Sequence, residues 1–288
     1  MTPSRFLLRQ GNEASANPVP VPEVLGKPST LPDEVHWHAR ACRAPILMYH
    51  RLTSRTSVHP YSLKVGRFRR QMSLLRALGY RSVSPLDVAN AMLHRTPLPP
   101  RAVAITLDDG YLDTFVAALP ILLEFGFTAT CYLVADRVGG NSDWTLPAPL
   151  MDWSDVREWL AAGMAIGSHA LTHRNLTQLP PEQLLMEVSV SKARLEEKLG
   201  IPVESLAYPF NRVGPREMRA VEMAGYRAAC AGPELRDSVF ALTRLNIASD
   251  SLSWFLCKIV PLYPEARHLA LSVAPFLGAH AEEDGAGQ

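Results

Sequence analysis

Ile105-Thr106-Leu107-Asp108-Asp109-Gly110 is the stretch from which the rest of the chain can be read. Together with Arg101 to Ala104 before it, the apolar side chains of Val103, Ala104, Ile105 and Leu107 predict a buried strand. Gly110 supplies the sharp turn after that strand, so both carboxylates stand at its C-terminal mouth. Proteins that alternate strands and helices place their chemistry at such mouths. Successive strand residues point to opposite faces, but the chain is already turning here, so Asp108 and Asp109 can reach one cleft with different tasks.

Working outward, strand and helix signals alternate. Ile46 to Tyr49 reads as a buried strand, Val65 to Leu78 as an amphipathic helix ending at Gly79, and Tyr80 to Val83 as a strand. A helix follows from Pro85 to Leu93, with proline at its start. After the acidic pair come a helix from Leu112 to Phe125, which contains Pro120 and ends at Gly126, and a strand from Phe127 to Val134. Ser154 is expected to cap a helix to Ala162, and Pro181 to open a long helix to Leu199 that ends at Gly200. Strands near Val203 to Tyr208, Tyr226 to Cys230 and Ala241 to Ile247, with a helix from Pro215 to Ala224, complete the set. So many consecutive strand–helix units without an internal sequence repeat predict an α/β fold built as one distorted barrel.

Residues 1–43 are rich in Pro, Ser, Asn and Glu and lack periodicity, as a flexible tail or a strap over the domain would. The domain is expected to span 44–274, with a second flexible tail over 275–288.

About sixty residues beyond the acids stand His169 and His173, just after a short apolar strand, Met164 to Gly167. A spacing of four puts both imidazoles on one face if the segment coils helically. Two ring nitrogens and one carboxylate oxygen leave a coordination position for water, which is the catalytic rather than the structural zinc pattern. The other carboxylate stays free as a base. Hydrolysis by a metal-activated water is the chemistry this set of residues suggests.

Composition permits that reading. The chain has 288 residues, 47% hydrophobic and 20% charged, with a formal net charge of +1, and no basic run is interleaved with aromatics. Neither a nucleic acid nor an anionic membrane surface is an expected partner. Cys42, Cys131, Cys230 and Cys257 are widely spaced and read as reduced residues, the middle two in buried strands. The N-terminus offers only Phe6-Leu7-Leu8 as an apolar patch and no stretch approaches a membrane span, so a cytoplasmic enzyme is expected. Leu252 to Val260 forms an apolar helical segment ended by Pro261, expected to pack on the barrel, with membrane contact as the less favoured reading. The long segment from Arg137 to Asp152 should lie over the strand mouth, with Trp144 shaping a substrate wall or anchoring the loop.

Four elements carry a family resemblance: Pro45-Ile46-Leu47-Met48-Tyr49-His50, Thr106-Leu107-Asp108-Asp109-Gly110, Ser168-His169-Ala170-Leu171-Thr172-His173, and Ala207-Tyr208-Pro209-Phe210. Their order resembles that of NodB-like polysaccharide deacetylases, carbohydrate esterase family four, over roughly residues 45 to 250. The leading Tyr-His strand is most similar to the poly-N-acetylglucosamine deacetylase branch. The resemblance implies a seven-stranded barrel and a divalent metal, most often zinc. It also implies Asp108 as base and Asp109, His169 and His173 as ligands. It further implies His50 as the acid for the leaving amine, and the Phe210 backbone N–H as donor to the oxyanion, because Pro209 has no amide hydrogen. Tyr208 and Pro209 fall among the substrate-binding residues, with Trp144 and Arg244. The expected substrate is an N-acetylated amino sugar in a glycan, glycolipid or polysaccharide. An O-acetyl carbohydrate esterase and a non-catalytic carbohydrate-binding barrel are the alternatives.

The chain departs from the pattern at Ala207, where the family places an arginine that orients the base, and at Phe210, where it places Tyr. Phe210 keeps the backbone donor. Arg244, a charged residue in the short apolar run Leu242-Thr243-Arg244-Leu245, is the candidate replacement for the missing arginine. The oligomeric state is not legible.

Overall fold

A computed structural model describes residues 43–54, 61–144, 147–233, 238–247 and 251–259. In chain order the strands are β1 (Ile46–Tyr49), β2 (Arg51–Thr53), β3 (Ser62–Lys64), β4 (Arg81–Val83), β5 (Ala102–Leu107), β6 (Thr130–Leu133), β7 (Ala165–Ser168), β8 (Ser205–Ala207), β9 (Ala228–Cys230) and β10 (Leu245–Asn246). The α-helices are α1 (Val65–Ala77), α2 (Pro85–His94), α3 (Leu112–Phe125), α4 (Trp153–Ala161), α5 (Pro181–Leu199), α6 (Pro215–Met223) and α7 (Leu252–Ile259).

Local chemistry accounts for most boundaries. Ser84 caps α2 by accepting from the Asp87 amide while the Asp87 carboxylate accepts from the Ser84 amide, and Pro85 fills the first helical position. α3 and α5 end on Gly126 and Gly200 in the left-handed conformation. The expected cap at Ser154 is corrected: Asp152 caps α4, its carboxylate accepting from the amides of Ser154 and Asp155 in a box closed by Asp155. A side-chain acceptor at the N-cap reaches the amides of the first turn, among them that of Ser154, which itself already lies within the helix.

All sheet pairings are parallel, and the main path runs β10-β1-β5-β6-β7-β8-β9. This is a curled, seven-position sheet, the distorted (β/α) barrel expected. β4 stands off the path because it pairs with Ala102 to Ala104 at the start of β5, while β6 takes Thr106 and Leu107 farther along the same edge. All six residues of β5 are buried, in keeping with a strand paired on both edges and covered by helices.

The two ends of the path are joined by one segment. Leu242 bridges Cys230 of β9, and three residues later β10 pairs with Leu47 and Met48 of β1. The single strand expected over Ala241 to Ile247 is therefore replaced by a 3₁₀ turn (Val239–Ala241), a bridge and a two-residue strand. A segment that changes partner midway cannot keep one ladder. β2 and β3, a short parallel pair outside the barrel, were not foreseen; each buries one leucine, too little for a periodic signal.

Inside the barrel Tyr132 lies beneath the strand mouths, its ring 5.7 Å from the Arg244 guanidinium carbon and its hydroxyl 3.3 Å from Cys230 Sγ. The ring occupies space left by Gly167, where an added Cβ would stand 2.3 Å from Tyr132 Cε1 and 3.0 Å from the Ser205 carbonyl oxygen. α7 packs on the body through buried Phe255 and Ile259, and the Tyr80 hydroxyl donates to the Ile259 carbonyl at 2.9 Å. No described helix is long and apolar enough to cross a membrane. Cys131 and Cys230 are buried free thiols, and Cys257 is exposed. Residues 1–42 and 275–288 of the two expected tails, with Cys42, and Val260 and Pro261 at the end of the apolar helical segment lie outside the described residues.

Candidate metal centre and its surroundings

Asp108 still belongs to the sheet, its amide donating to the Tyr49 carbonyl at 2.9 Å. Asp109 and Gly110 then both take left-handed backbone angles, φ 73° and 76°. This reversal sends the two carboxylates to different partners. Such angles are costly for a residue with a Cβ and persist where the surroundings fix them. At Gly110 an added Cβ would meet Leu133 Cδ2 at 2.7 Å, so the turn is packed as well as bent.

Asp109 meets the histidines. Its Oδ1 lies 3.3 Å from His169 Nε2 and 3.2 Å from His173 Nε2, and one ligand atom from each of the three residues falls within 4.8 Å of the others. All three side chains are buried. His169 Nδ1 is 2.8 Å from the Ala207 carbonyl, which fixes the proton on Nδ1 and leaves the Nε2 lone pair facing Asp109. Asp109 Oδ1 has no aligned hydrogen-bond partner among the described residues. Converging lone pairs in a buried spot suit a divalent cation, and a His₂-carboxylate set is one that zinc accepts with a position left open. Burial pushes the Asp109 pKa up, but with no cation between them the ring nitrogens can instead carry protons toward Asp109, and these outweigh burial and hold its carboxyl well below the ordinary range.

The expectation that helical coiling brings the histidines together is corrected. Residues 169–175 form an irregular loop, with Ala170 and His173 both at φ 63°. The rings converge, with centroids 4.9 Å apart, because the loop bends back on itself.

Asp108 faces the other way. Arg244 grips it with both ends of its fork, Nη1 donating to Oδ1 at 2.6 Å and Nη2 to Oδ2 at 2.7 Å. Arg244 Nη2 also donates to Asn211 Oδ1 at 2.9 Å, and Nε to the Ala231 carbonyl at 3.3 Å. The guanidinium is fully buried, and its fork is engaged by Asp108. Its position beside the acid is the one the absent arginine at Ala207 left to be filled. Burial tends to raise the Asp108 pKa, but the Arg244 charge brings it below the usual value, so the carboxylate is ionised at neutral pH. Asn211 was missed in the sequence, whose only signal there was its place after Phe210.

His50, at the end of β1, puts Nε2 4.0 Å from Asp108 Oδ2 and stacks on Tyr61. Its carbonyl accepts from Thr114 Oγ1 at 2.7 Å. Burial lowers the His50 pKa more than the two aspartates raise it. The Trp144 ring stacks on His173 at 4.2 Å and packs with Tyr111, Ala148 and Leu150, so it both anchors its loop and stands beside a candidate ligand. Phe210 takes φ 59°, is half exposed, and sets its ring 4.9 Å from that of His173. From Phe210 a groove of about 510 Å³ runs past Asn211 and Arg212 to Gly232. Tyr208 and Pro209 are buried, and the Tyr208 hydroxyl donates to the Phe240 carbonyl at 2.9 Å. They pack under the Phe210 turn, where a tyrosine's ring and a fixed proline φ brace the backbone.

Residues 95–229 match the family model described as polysaccharide deacetylase. The match includes the acids and both histidines but neither His50 nor Arg244. The chain is 28% identical over 214 residues to YxkH of Bacillus subtilis (strain 168), whose name places it among polysaccharide deacetylases; the alignment covers 73% of each. It is 29% identical over 141 residues to the poly-β-1,6-N-acetyl-D-glucosamine N-deacetylase of Escherichia coli (strain K12), spanning 46% of this chain and 21% of that one. Among solved structures it resembles the Streptococcus pyogenes deacetylase PplD in complex with acetate, with a TM-score of 0.69 and 23% identity, over 76% of this chain and 98% of that one. IcaB from Ammonifex degensii gives a TM-score of 0.61 and 23% identity, over 73% and 93%. At such identities these two show the shared fold.

Proposed function

We propose that this chain, which carries a polysaccharide deacetylase domain of the NodB, carbohydrate esterase four type, is a metal-dependent hydrolase that removes acetyl groups from N-acetylated amino sugars of a glycan. The observation carrying the reading is the division of labour between the adjacent acids. Asp109 converges with His169 and His173, while Asp108, 1% exposed, is locked in its charged form by Arg244.

Asp109, His169 and His173 would hold the cation, most suitably zinc, which when bound supplies Lewis acidity to water and to an acyl carbonyl. Asp108 accepts the proton of the attacking water; each of its oxygens keeps a lone pair beyond the one Arg244 uses. Arg244 and Asn211 hold that carboxylate in one orientation. The Phe210 N–H donates to the carbonyl oxygen as negative charge gathers there. His50, across from Asp108, gives the departing nitrogen its proton; a lowered pKa makes it the stronger acid while reducing its protonated fraction. The water oxygen bonds to the carbonyl carbon first, and the C–N bond breaks as the oxyanion collapses and His50 protonates the nitrogen, giving acetate and a free amine. Trp144 and the groove beyond Phe210 flank the reacting group.

A non-catalytic sugar-binding barrel drew its support from the absent arginine at Ala207, and the contact of Arg244 with Asp108 removes that ground. The domain is taken to span 44–274. The test is an acetate-release screen with zinc-loaded protein on β-1,6-linked N-acetylglucosamine oligomers, chosen from the activity in the name of the E. coli relative, on other linkages, and on O-acetylated glycans. Release from N-acetyl substrates supports the reading. Release only from O-acetyl substrates makes the protein an esterase, and release from none in the presence of bound zinc refutes it.

A further inference from the structure

We infer that Glu187 on α5 is a positioning residue that holds the histidine loop in its metal-binding shape. The inference rests on the proposed metal centre and concerns a carboxylate that takes no part in it. Glu187 is 1% exposed, and among the described residues no cation pairs with it. Its partners all belong to the loop between the two histidines. Oε2 accepts from the amides of Leu171 at 3.0 Å and Thr172 at 2.9 Å, and Oε1 accepts from the Thr172 hydroxyl.

Burying a carboxylate is costly unless its lone pairs are used, and here they are used by three donors within two adjacent residues. The opposite side of the loop is held as well, since the amides of Ala135 and Asp136, just after β6, donate to the carbonyls of Ala170 and Leu171 at 3.1 and 3.0 Å. Four residues along the same face of α5, the Ser191 hydroxyl lies 3.0 Å from that of Ser168, the residue before His169. α5 thus touches the chain just before each histidine.

The loop needs such anchors because Ala170 and His173 both hold left-handed angles that a free chain with side chains avoids. Released from Glu187, Leu171 and Thr172 would have two amides to satisfy elsewhere, and His173 could swing away from Asp109. His169 is tied separately, by its ring to Ala207 and its amide to Leu133. The effect of losing Glu187 should therefore fall on His173.

The prediction separates metal binding from folding. Glu187→Ala should weaken zinc affinity, measured by chelator competition, by roughly tenfold to a hundredfold, as loss of a residue that orients a ligand typically does. Cobalt substituted for zinc should show a changed visible spectrum in that variant. Glu187→Gln should recover most of the affinity, because its amide oxygen can accept from both backbone amides and the Thr172 hydroxyl can turn to accept from its nitrogen. Thr172→Val, which removes one donor and leaves the carboxylate, serves if Glu187→Ala does not fold, and should weaken zinc binding by a few-fold. Unchanged zinc affinity in folded Glu187→Ala, or in Thr172→Val where the former does not fold, overturns the inference while leaving the metal centre standing. Wild-type protein that binds no zinc overturns both.

Discussion

Replacing Arg244 by methionine leaves a chain of similar length but strips a buried carboxylate of its counter-charge. Asp108 is 1% exposed and Arg244 0%, and the two bonds between them are 2.6 and 2.7 Å long, so the buried-pair scale applies rather than the surface one. Removing one partner of such a pair costs about 3–5 kcal/mol. That is a large part of the stability of an ordinary domain, roughly 5–15 kcal/mol, so the variant should unfold at a much lower urea concentration than wild type.

The cost should depend on pH. In the wild type the folded pKa of Asp108 lies below its unfolded value, so its stabilisation is present above the unfolded pKa and is lost as pH falls through the folded one. Without Arg244, burial dominates and the folded pKa rises above the unfolded value of about 3.9. The variant's penalty relative to wild type then grows as pH climbs from the wild-type folded pKa through the variant's higher one. Urea unfolding of metal-free protein at several pH values should show the largest difference near neutral pH and a shrinking one as the pH falls toward the ordinary carboxylate range. In acetate release, the acid limb of the variant's pH profile should move to higher pH, because the base must still be ionised. Arg244→Lys should fall between the two, since an ammonium cannot make the paired contact. A difference under about 1 kcal/mol at neutral pH that does not shrink as the pH falls would refute the argument.

His50→Gln should lower acetate release by about 10²–10⁴-fold while zinc content stays at the wild-type level, the loss typical for a general acid. By contrast, Phe210→Tyr should stay within a few-fold of wild type, because the role assigned to that position belongs to its backbone amide; a loss as large as that of His50→Gln would assign the role to the side chain. Gly167→Ala should destabilise the fold by at least about 1–3 kcal/mol in urea unfolding, because the new methyl meets both Tyr132 and the Ser205 carbonyl. Thiol labelling of native protein at pH 8 should modify Cys257 and spare Cys131 and Cys230 until denaturant is added. Burial pushes the Cys131 thiol well above its usual range and that of Cys230 up to about 11.

Local signals in the chain announced most of the barrel. α3 and α5 start and stop where proline, glycine and apolar spacing place them, and β5 is as buried as its run of apolar residues implies. What escaped was set by tertiary demands. The last strand breaks because the segment at 242–246 must leave β9 for β1, and no periodicity encodes a change of partner. The acids and histidines were legible because few other arrangements explain such pairs after two strands. How they meet was not, since the left-handed residues Ala170 and His173 are neither glycine nor asparagine and so give no warning of a bend. Arg244 stood out as a charge in an apolar run. Asn211 and Glu187, polar residues in ordinary surroundings, acquire meaning only when distant segments meet.

The separation of base from ligand is tested most directly by measuring zinc content and acetate release together in two variants of the neighbouring groups. Asp108→Asn should retain one zinc per chain and lose acetate release, whereas His173→Ala should lose the zinc itself. Full activity in Asp108→Asn, or wild-type zinc content in His173→Ala, would contradict the account.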